Sequence, residues 1–216
     1  MKNRENVQVA IDGPAGVGKT TVGRKLAENY NWLFVESGML YRALACSKIH
    51  DLGNSSMDLR TSEYRELKVF IDGEDVTDLL ESEEVAEAAS EVAQNPDIRD
   101  RVTDRLRDLV ENRSAVVEGR DIGTVVLPGA EVKIFLTADL KTRAHRRGNQ
   151  LPELQSEDPE KLQNQIQARD DQDRERHHSP LKPAEDAFIV DTTSLGVEET
   201  IEKLRGIIDK NIGEAR

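Results

Sequence analysis

The run Gly13-Pro14-Ala15-Gly16-Val17-Gly18-Lys19-Thr20 matches G-x-x-x-x-G-K-[S/T] at every position. Each residue type has a task in holding polyphosphate. The glycines let successive backbone N–H groups converge on phosphate oxygens. Lys19 reaches toward the β and γ phosphates, and the Thr20 hydroxyl suits Mg²⁺. A short apolar run precedes the motif and a helical pattern follows it, so bound phosphates would also meet the positive end of a helix dipole. The motif specifies a nucleoside triphosphate site. It leaves the use of that site open between a small-molecule kinase, a GTPase switch and an ATPase motor. A GTPase would normally carry Asn-Lys-x-Asp for guanine, and no Asn-Lys pair occurs in the chain. A motor usually needs further domains or ring assembly. A kinase needs a second, anion-binding acceptor site.

Three clusters qualify as parts of one. Ser37-Gly38-Met39-Leu40-Tyr41-Arg42 puts small residues at a helix start and an arginine one turn later, a pattern that suits a bound anion but equally suits ordinary capping. Glu118-Gly119-Arg120-Asp121 follows an apolar run, so Arg120 and Asp121 project from a strand's carboxyl end, where open α/β sheets bind ligands. Arg169, Asp173 and Arg176 share one face of a helix through spacings of four and three. By itself that charge run reads as a solvated, salt-bridged helix. In a chain that also holds a triphosphate, it reads as a set of cations carried on a closing flap.

These residues need a scaffold. Short apolar runs at 7–11, 33–35, 115–117, 132–136 and 188–190 read as five buried strands. Helical patterns lie between and after them at 19–29, 39–49, 96–112, 140–147 and 197–208. Such alternation predicts an α/β fold, a doubly wound parallel sheet flanked by helices. Residues 58–95 differ: Lys68–Ile71 with Asp72-Gly73 suggests a strand and tight turn, and 83–92 an Ala- and Glu-rich helix. Residues 149–183 are strongly polar. The expected organisation is a core of 1–57, 96–148 and 184–216, an inserted lobe at 58–95 and a lid at 149–183.

The chain has 216 residues, 42 acidic against 30 basic side chains, and a formal charge of −12. That excess repels nucleic-acid polymers and anionic lipid, and it makes clustered arginines informative. One cysteine, Cys46, excludes an intrachain disulfide and fits a reducing compartment. With no signal-like or membrane-spanning apolar stretch, a cytoplasmic location and a monomer are expected. His177 and His178 have no neighbouring metal-ligand partners in sequence, so a zinc site is not expected.

Together the segments GPAGVGKTT, SGMLYRA, EVAEAASEVAQNPDIR, EGRDIGTVV, AEVKIFLTA, RAHRR, ARDDQDRER and SPLKPAEDAFIVDT resemble bacterial-type cytidylate kinases, which are P-loop nucleoside monophosphate kinases. They run in order along nearly the whole chain. The resemblance implies a five-stranded P-loop core with an inserted monophosphate-binding lobe and a short lid, using ATP, Mg²⁺ and CMP or dCMP. It implies ATP binding by residues 13–20, that is Gly13, Pro14, Ala15, Gly16, Val17, Gly18, Lys19 and Thr20, and by Thr21, with Thr20 on the metal. Lys19, Arg120 and Arg169 would be catalytic. Ser90, Arg99 and Asp121 would read the cytosine. Arg42, Arg120 and Arg169 would hold the acceptor phosphate, Asp173 the ribose, and Arg176 would add positive charge. Ser37 and Tyr41 would line the acceptor pocket, and Arg146 and Arg147 would meet the adenine end of ATP. Glu36 and Glu118 stand where the family usually has Asp, which lengthens their reach toward the metal. The alternatives are a P-loop kinase acting on UMP or another small acceptor, and a regulatory P-loop ATPase.

Overall fold

Val9, Ala10 and Ile11 have no exposed surface because their strand, β1 (Gln8–Asp12), runs through the middle of a sheet covered on both faces. The computed structural model describes residues 6–49, 57–62, 67–150 and 158–213. β1 lies between β6 (Ala115–Gly119) and β7 (Val132–Thr137). β2 (Leu33–Glu36) flanks β6, and β8 (Phe188–Asp191) flanks β7. Every pair in this five-stranded sheet is parallel. Parallel strands buried on both faces read as continuous apolar runs, and the five runs picked out in the sequence are these five strands.

The helices cover the two faces. On one side α1 (Lys19–Tyr30) and α7 (Val197–Gly213) close over Val9, Ile11, Phe34, Ile134 and Leu136. On the other, α2 (Gly38–Ile49) and α4 (Pro96–Val110) bring Leu40, Val102 and Leu106 against Ala10, Val35 and Val117. α4 starts where the sequence indicates: Asn95 accepts hydrogen bonds from the N–H groups of Asp97 and Ile98, and Pro96 occupies the first turn. The chain passes from β1 to β2, returns to place β6 between them, and then lays β7 on the far side of β1. That reversal of direction makes a crevice at the carboxyl ends of β1 and β6.

A second, three-stranded antiparallel sheet comprises β3 (Met57–Thr61), β4 (Leu67–Ile71) and β5 (Glu74–Asp75). Its buried side packs Val69 and Ile71 against Ala43 and Cys46 of α2 and against Val85 and Ala89 of α3 (Glu83–Val92). Only β4 is legible as a strand in the sequence, because β5 has two residues, both exposed.

The described part of the polar stretch 149–183 holds more helix than its composition suggests. α5 (Leu140–Gln150) enters it, and residues 151–157 lie outside the described residues. α6 (Pro159–Glu175) then runs for 17 residues from an Asp158 cap. Leu162, Ile166, Asp170 and Asp173 form its buried stripe.

Leu204 of α7 is completely buried in the cluster that joins this helix to the sheet. Leu204→Ala is expected to destabilise the fold by about 2–5 kcal/mol, through lost burial and a residual cavity. Denaturant unfolding measures this. A loss under about 1 kcal/mol would contradict the packing described.

Candidate active site

The register of the sheet brings the functional loops level. Asp12 is paired with Gly119 across β1 and β6, and Glu36 with Glu118 across β2 and β6. The phosphate loop after β1, Ser37 after β2 and Arg120 after β6 therefore leave the sheet at one edge. They border a cavity of about 380 Å³.

The phosphate loop occupies one end. Gly16 has φ 71, and a side chain there would meet the Arg143 carbonyl oxygen at 2.8 Å. Glycine is required both for the turn and for the approach of α5. Gly18 begins α1 with no side-chain cap and no acid in the first turn, so the first amides of α1 remain open to an anion. Lys19 is buried and donates to the Pro14 carbonyl at 2.9 Å. Burial, with the Arg120 guanidinium nearby, holds its ammonium below the usual lysine range.

Ala15, Gly16, Gly18, Lys19, Thr20 and Thr21 line the cavity. Gly13, Pro14 and Val17 are not among the lining residues. A side chain on Gly13 would run into the Leu136 carbonyl at 2.4 Å, and Val17 is packed in the core.

The Thr20 hydroxyl donates to Glu118 Oε1 at 3.1 Å. Burial raises the Glu118 carboxyl, with Lys19 pulling the other way. A hydroxyl, a carboxylate and the oxygens of a polyphosphate are the hard donor set that Mg²⁺ prefers. Among the described residues no three His, Cys, Asp or Glu side chains form a metal-holding group. His178 Nε2 lies 2.9 Å from Asp100 Oδ1.

The other end of the cavity is held by arginine–carboxylate pairs. Arg99 Nη2 donates to Asp121 Oδ2 at 2.6 Å, both side chains being nearly inaccessible, and the guanidinium lies 5.4 Å from the Tyr41 ring centroid. Arg120 Nε donates to Asp173 Oδ2 at 2.8 Å, and Arg176 Nη2 lies 3.1 Å from Asp173 Oδ1. Burial opposes the charge on Asp173, but the two guanidinium groups outweigh it and keep the carboxyl below its usual range. Arg42 Nη2 donates to Glu36 Oε1 at 2.5 Å. Ser37, Arg169 and Arg147 also line this cavity. Ser90 donates from its hydroxyl to Gln172 Oε1 at 3.1 Å, joining α3 to α6. The residues expected to meet an acceptor thus converge from α2, α3, α4, β6 and α6.

Two buried nitrogens in this set have no hydrogen-bond partner, Arg42 Nε and Arg99 Nε, and a third, Arg176 Nη2, has only its ion pair with Asp173. Unmatched buried donors are costly, and here two of them belong to one cavity suited to an anion.

Arg146 requires a correction. Its guanidinium donates to the carbonyls of Val17, Thr192 and Leu195 and to the Thr192 hydroxyl, so it ties α5 to the loops around β1 and β8. The sequence reading also missed Asp12, whose two carboxylate oxygens accept from Ile122 N–H at 2.8 Å and Gly123 N–H at 2.7 Å. That carboxylate links the start of the phosphate loop to the turn after Asp121. Burial pushes its pKa up to about 7 against the pull of those two N–H groups. An acid directly before the first glycine is its only trace in the sequence.

A sequence model of the cytidylate kinases matches residues 9–210. The chain belongs to the cytidylate kinase family. It is 42% identical to the cytidylate kinase of Geobacillus sp. (strain WCH70), over 97% of this chain and all of that protein. It is 43% identical to that of Geobacillus kaustophilus (strain HTA426), over 99% of this chain and all of that protein. Among solved structures, a gluconokinase from Sinorhizobium meliloti shares the fold at 14% identity, with a TM-score of 0.54 over 99% of this chain and 98% of that one. The protein is accordingly a nucleoside monophosphate kinase with a P-loop core. Among the described residues no helix is long and apolar enough to cross a membrane.

Triphosphate restores a full charge to Lys19, so its binding should take up a proton. The ligand's own phosphate is ionised at pH 8, since phosphate second pKa values lie near about 6. Affinity should therefore fall as pH rises from about 8 toward the usual lysine value of about 10.4. Calorimetry at pH 8 in two buffers of different ionisation heat measures the uptake. Heats independent of buffer would contradict the depressed lysine.

Proposed function

We propose that this chain transfers the γ-phosphoryl group of ATP to CMP, and to dCMP, giving ADP and CDP or dCDP. The observation that carries the reading is the Asp121 carboxylate, buried and pinned by Arg99 in the cavity that also contains Lys19. Cytosine offers an N4 amino donor where uracil offers an O4 acceptor. An ionised carboxylate accepts but cannot donate. It therefore favours cytosine and sets an oxygen against an oxygen when uracil enters. Ser90 and Arg99 supply further polar contacts to the base, and Asp173 meets the ribose. Arg42, Arg120, Arg169 and Arg176 face the acceptor phosphate, and the unmatched Nε–H of Arg42 supports this assignment.

A monophosphate is largely dianionic near neutrality, its second pKa being about 6. Its oxygen is already a nucleophile, and no general base is needed. The new P–O bond forms on CMP as the bond to the bridging oxygen of ATP breaks, and ADP leaves with that electron pair. What the protein must supply is alignment of two anions and compensation of their charge. Lys19 acts from the donor side, Arg120 and Arg169 from between the two. Thr20, with Glu118 behind it, would hold Mg²⁺, which when bound draws charge from the β and γ oxygens. Residues 58–95 act as the acceptor lobe and 149–183 as the lid on a core of 1–57, 96–148 and 184–216. Closure of the lid excludes water that would otherwise hydrolyse ATP. The lone cysteine fits a cytoplasmic enzyme.

A coupled ADP assay with CMP, dCMP, UMP, AMP and GMP tests the reading. CMP should give the highest kcat/KM, and equal turnover of UMP would overturn it. Asp121→Asn can donate as well as accept. It should narrow the preference for CMP over UMP by roughly tenfold to a hundredfold, the value of about 1–3 kcal/mol for an unmatched buried polar group. An unchanged ratio would place base recognition elsewhere.

A further inference from the structure

We infer that Asp170 is a positioning residue: with Arg143 it clamps the Ala15 peptide of the phosphate loop, and so sets where its neighbour Arg169 meets the phosphates. The inference rests on reading the cavity as a phosphoryl-transfer site. Asp170 has no exposed surface. A carboxylate so placed persists only if its oxygens are well matched. Oδ1 accepts from Ala15 N–H at 3.0 Å, and Oδ2 accepts from Arg143 Nη1. The same Nη1 donates to the Ala15 carbonyl at 3.1 Å, while Arg143 Nε donates to the Ala138 carbonyl at 3.1 Å. Both backbone polar groups of one phosphate-loop residue are thus taken by an ion pair whose members come from α5 and α6.

Apolar contacts sit beside the clamp. Ala15 packs with Ala144, Leu162 and Ile166, so the two helices and the loop share a small core of their own. The closeness of the Arg143 carbonyl to Gly16 removes any slack on the α5 side. Arg169 precedes Asp170, and Asp173 follows it by less than one turn of the same helix. Fixing Asp170 to the loop that holds the donor therefore fixes the residues that face the acceptor. A helix held only by its Leu162 and Ile166 contacts would remain free to slide by fractions of an ångström. Displacements of about 1 Å cost on the order of a hundredfold in transfer rate. The clamp gives donor and acceptor sites one frame of reference.

The test uses the full chain with Asp170→Ala, Asp170→Asn and Arg143→Lys. Each should lower kcat by about tenfold to a hundredfold while KM for CMP changes by less than about threefold. The ratio of ADP formed to CDP formed should rise above that of the unaltered enzyme, because a misplaced lid admits water. A simple packing defect would move neither the ratio nor this split. Unchanged kcat and product ratio in variants with a normal thermal transition would overturn the inference. Hydrogen exchange keeps the question separate from the identity of the acceptor. With a non-hydrolysable ATP analogue alone, peptides covering 13–20 and 159–175 should slow together in the unaltered protein. In Asp170→Asn, which retains an acceptor for Ala15 N–H and so preserves the loop, only 13–20 should slow. Equal slowing of 159–175 in both proteins would overturn the clamp even if CMP proved not to be the acceptor.

Discussion

A guanidinium taken out of water needs negative charge beside it, and one cavity in this protein holds several. The chain meets that demand with carboxylates. Asp121 serves Arg99, Asp173 serves Arg120 and Arg176, Glu36 serves Arg42, and Asp170 serves Arg143. Arginines without these partners would repel one another and resist burial. Arginines fully matched by them would have nothing left for a ligand. The balance struck is partial, with single nitrogens of Arg42 and Arg99 buried and unmatched. An overall charge of −12 is compatible with an anionic substrate on these terms, because the field that matters is local to the cavity.

The fold converts that chemistry into geometry. Three of these arginine–carboxylate pairs join different parts of the chain: α4 to the end of β6, the end of β6 to α6, and α5 to α6. Asp12 adds a link from β1 to the turn after Asp121. The sheet sets the level of the loops and the ion pairs set the side chains within them. The site is therefore rigid in its parts while its upper wall, α6, belongs to a segment that packs few apolar side chains.

The parallel core was legible because its central strands are buried on both faces, its edge strand β8 is still an apolar run, and its helices alternate with them. β1 and β6 show no polar interruption before their functional ends, and Asn95-Pro96 marks a helix start by capping chemistry alone. α6 was harder to read. Its buried stripe is Leu162, Ile166, Asp170 and Asp173, so half of the face that packs inward is charged, and hydropathy sees only a polar run. β5 is too short to show a period. The site residues were accessible where a motif gave spacing, as with the phosphate loop, and where the resemblance carried them over, as with Ser90 and Arg99. Arg143 and Asp170 were missed because their meaning lies in one another: neither sits in a recognisable motif, and 27 residues separate them. Arg146 was misplaced for the converse reason, since a basic residue near a triphosphate site looks like a ligand until its carbonyl partners are seen.

The central claim is that the unmatched Nε–H of Arg42 is kept for the acceptor's phosphate. The side-chain Nε–H resonance of Arg42 reports on this directly, in protein labelled with ¹⁵N and titrated with CMP or with cytidine. The account predicts that CMP moves this resonance and protects its proton from exchange with water, whereas cytidine, which lacks the phosphate, leaves both unchanged. An Arg42 Nε–H signal that ignores CMP, or responds equally to cytidine, would contradict it.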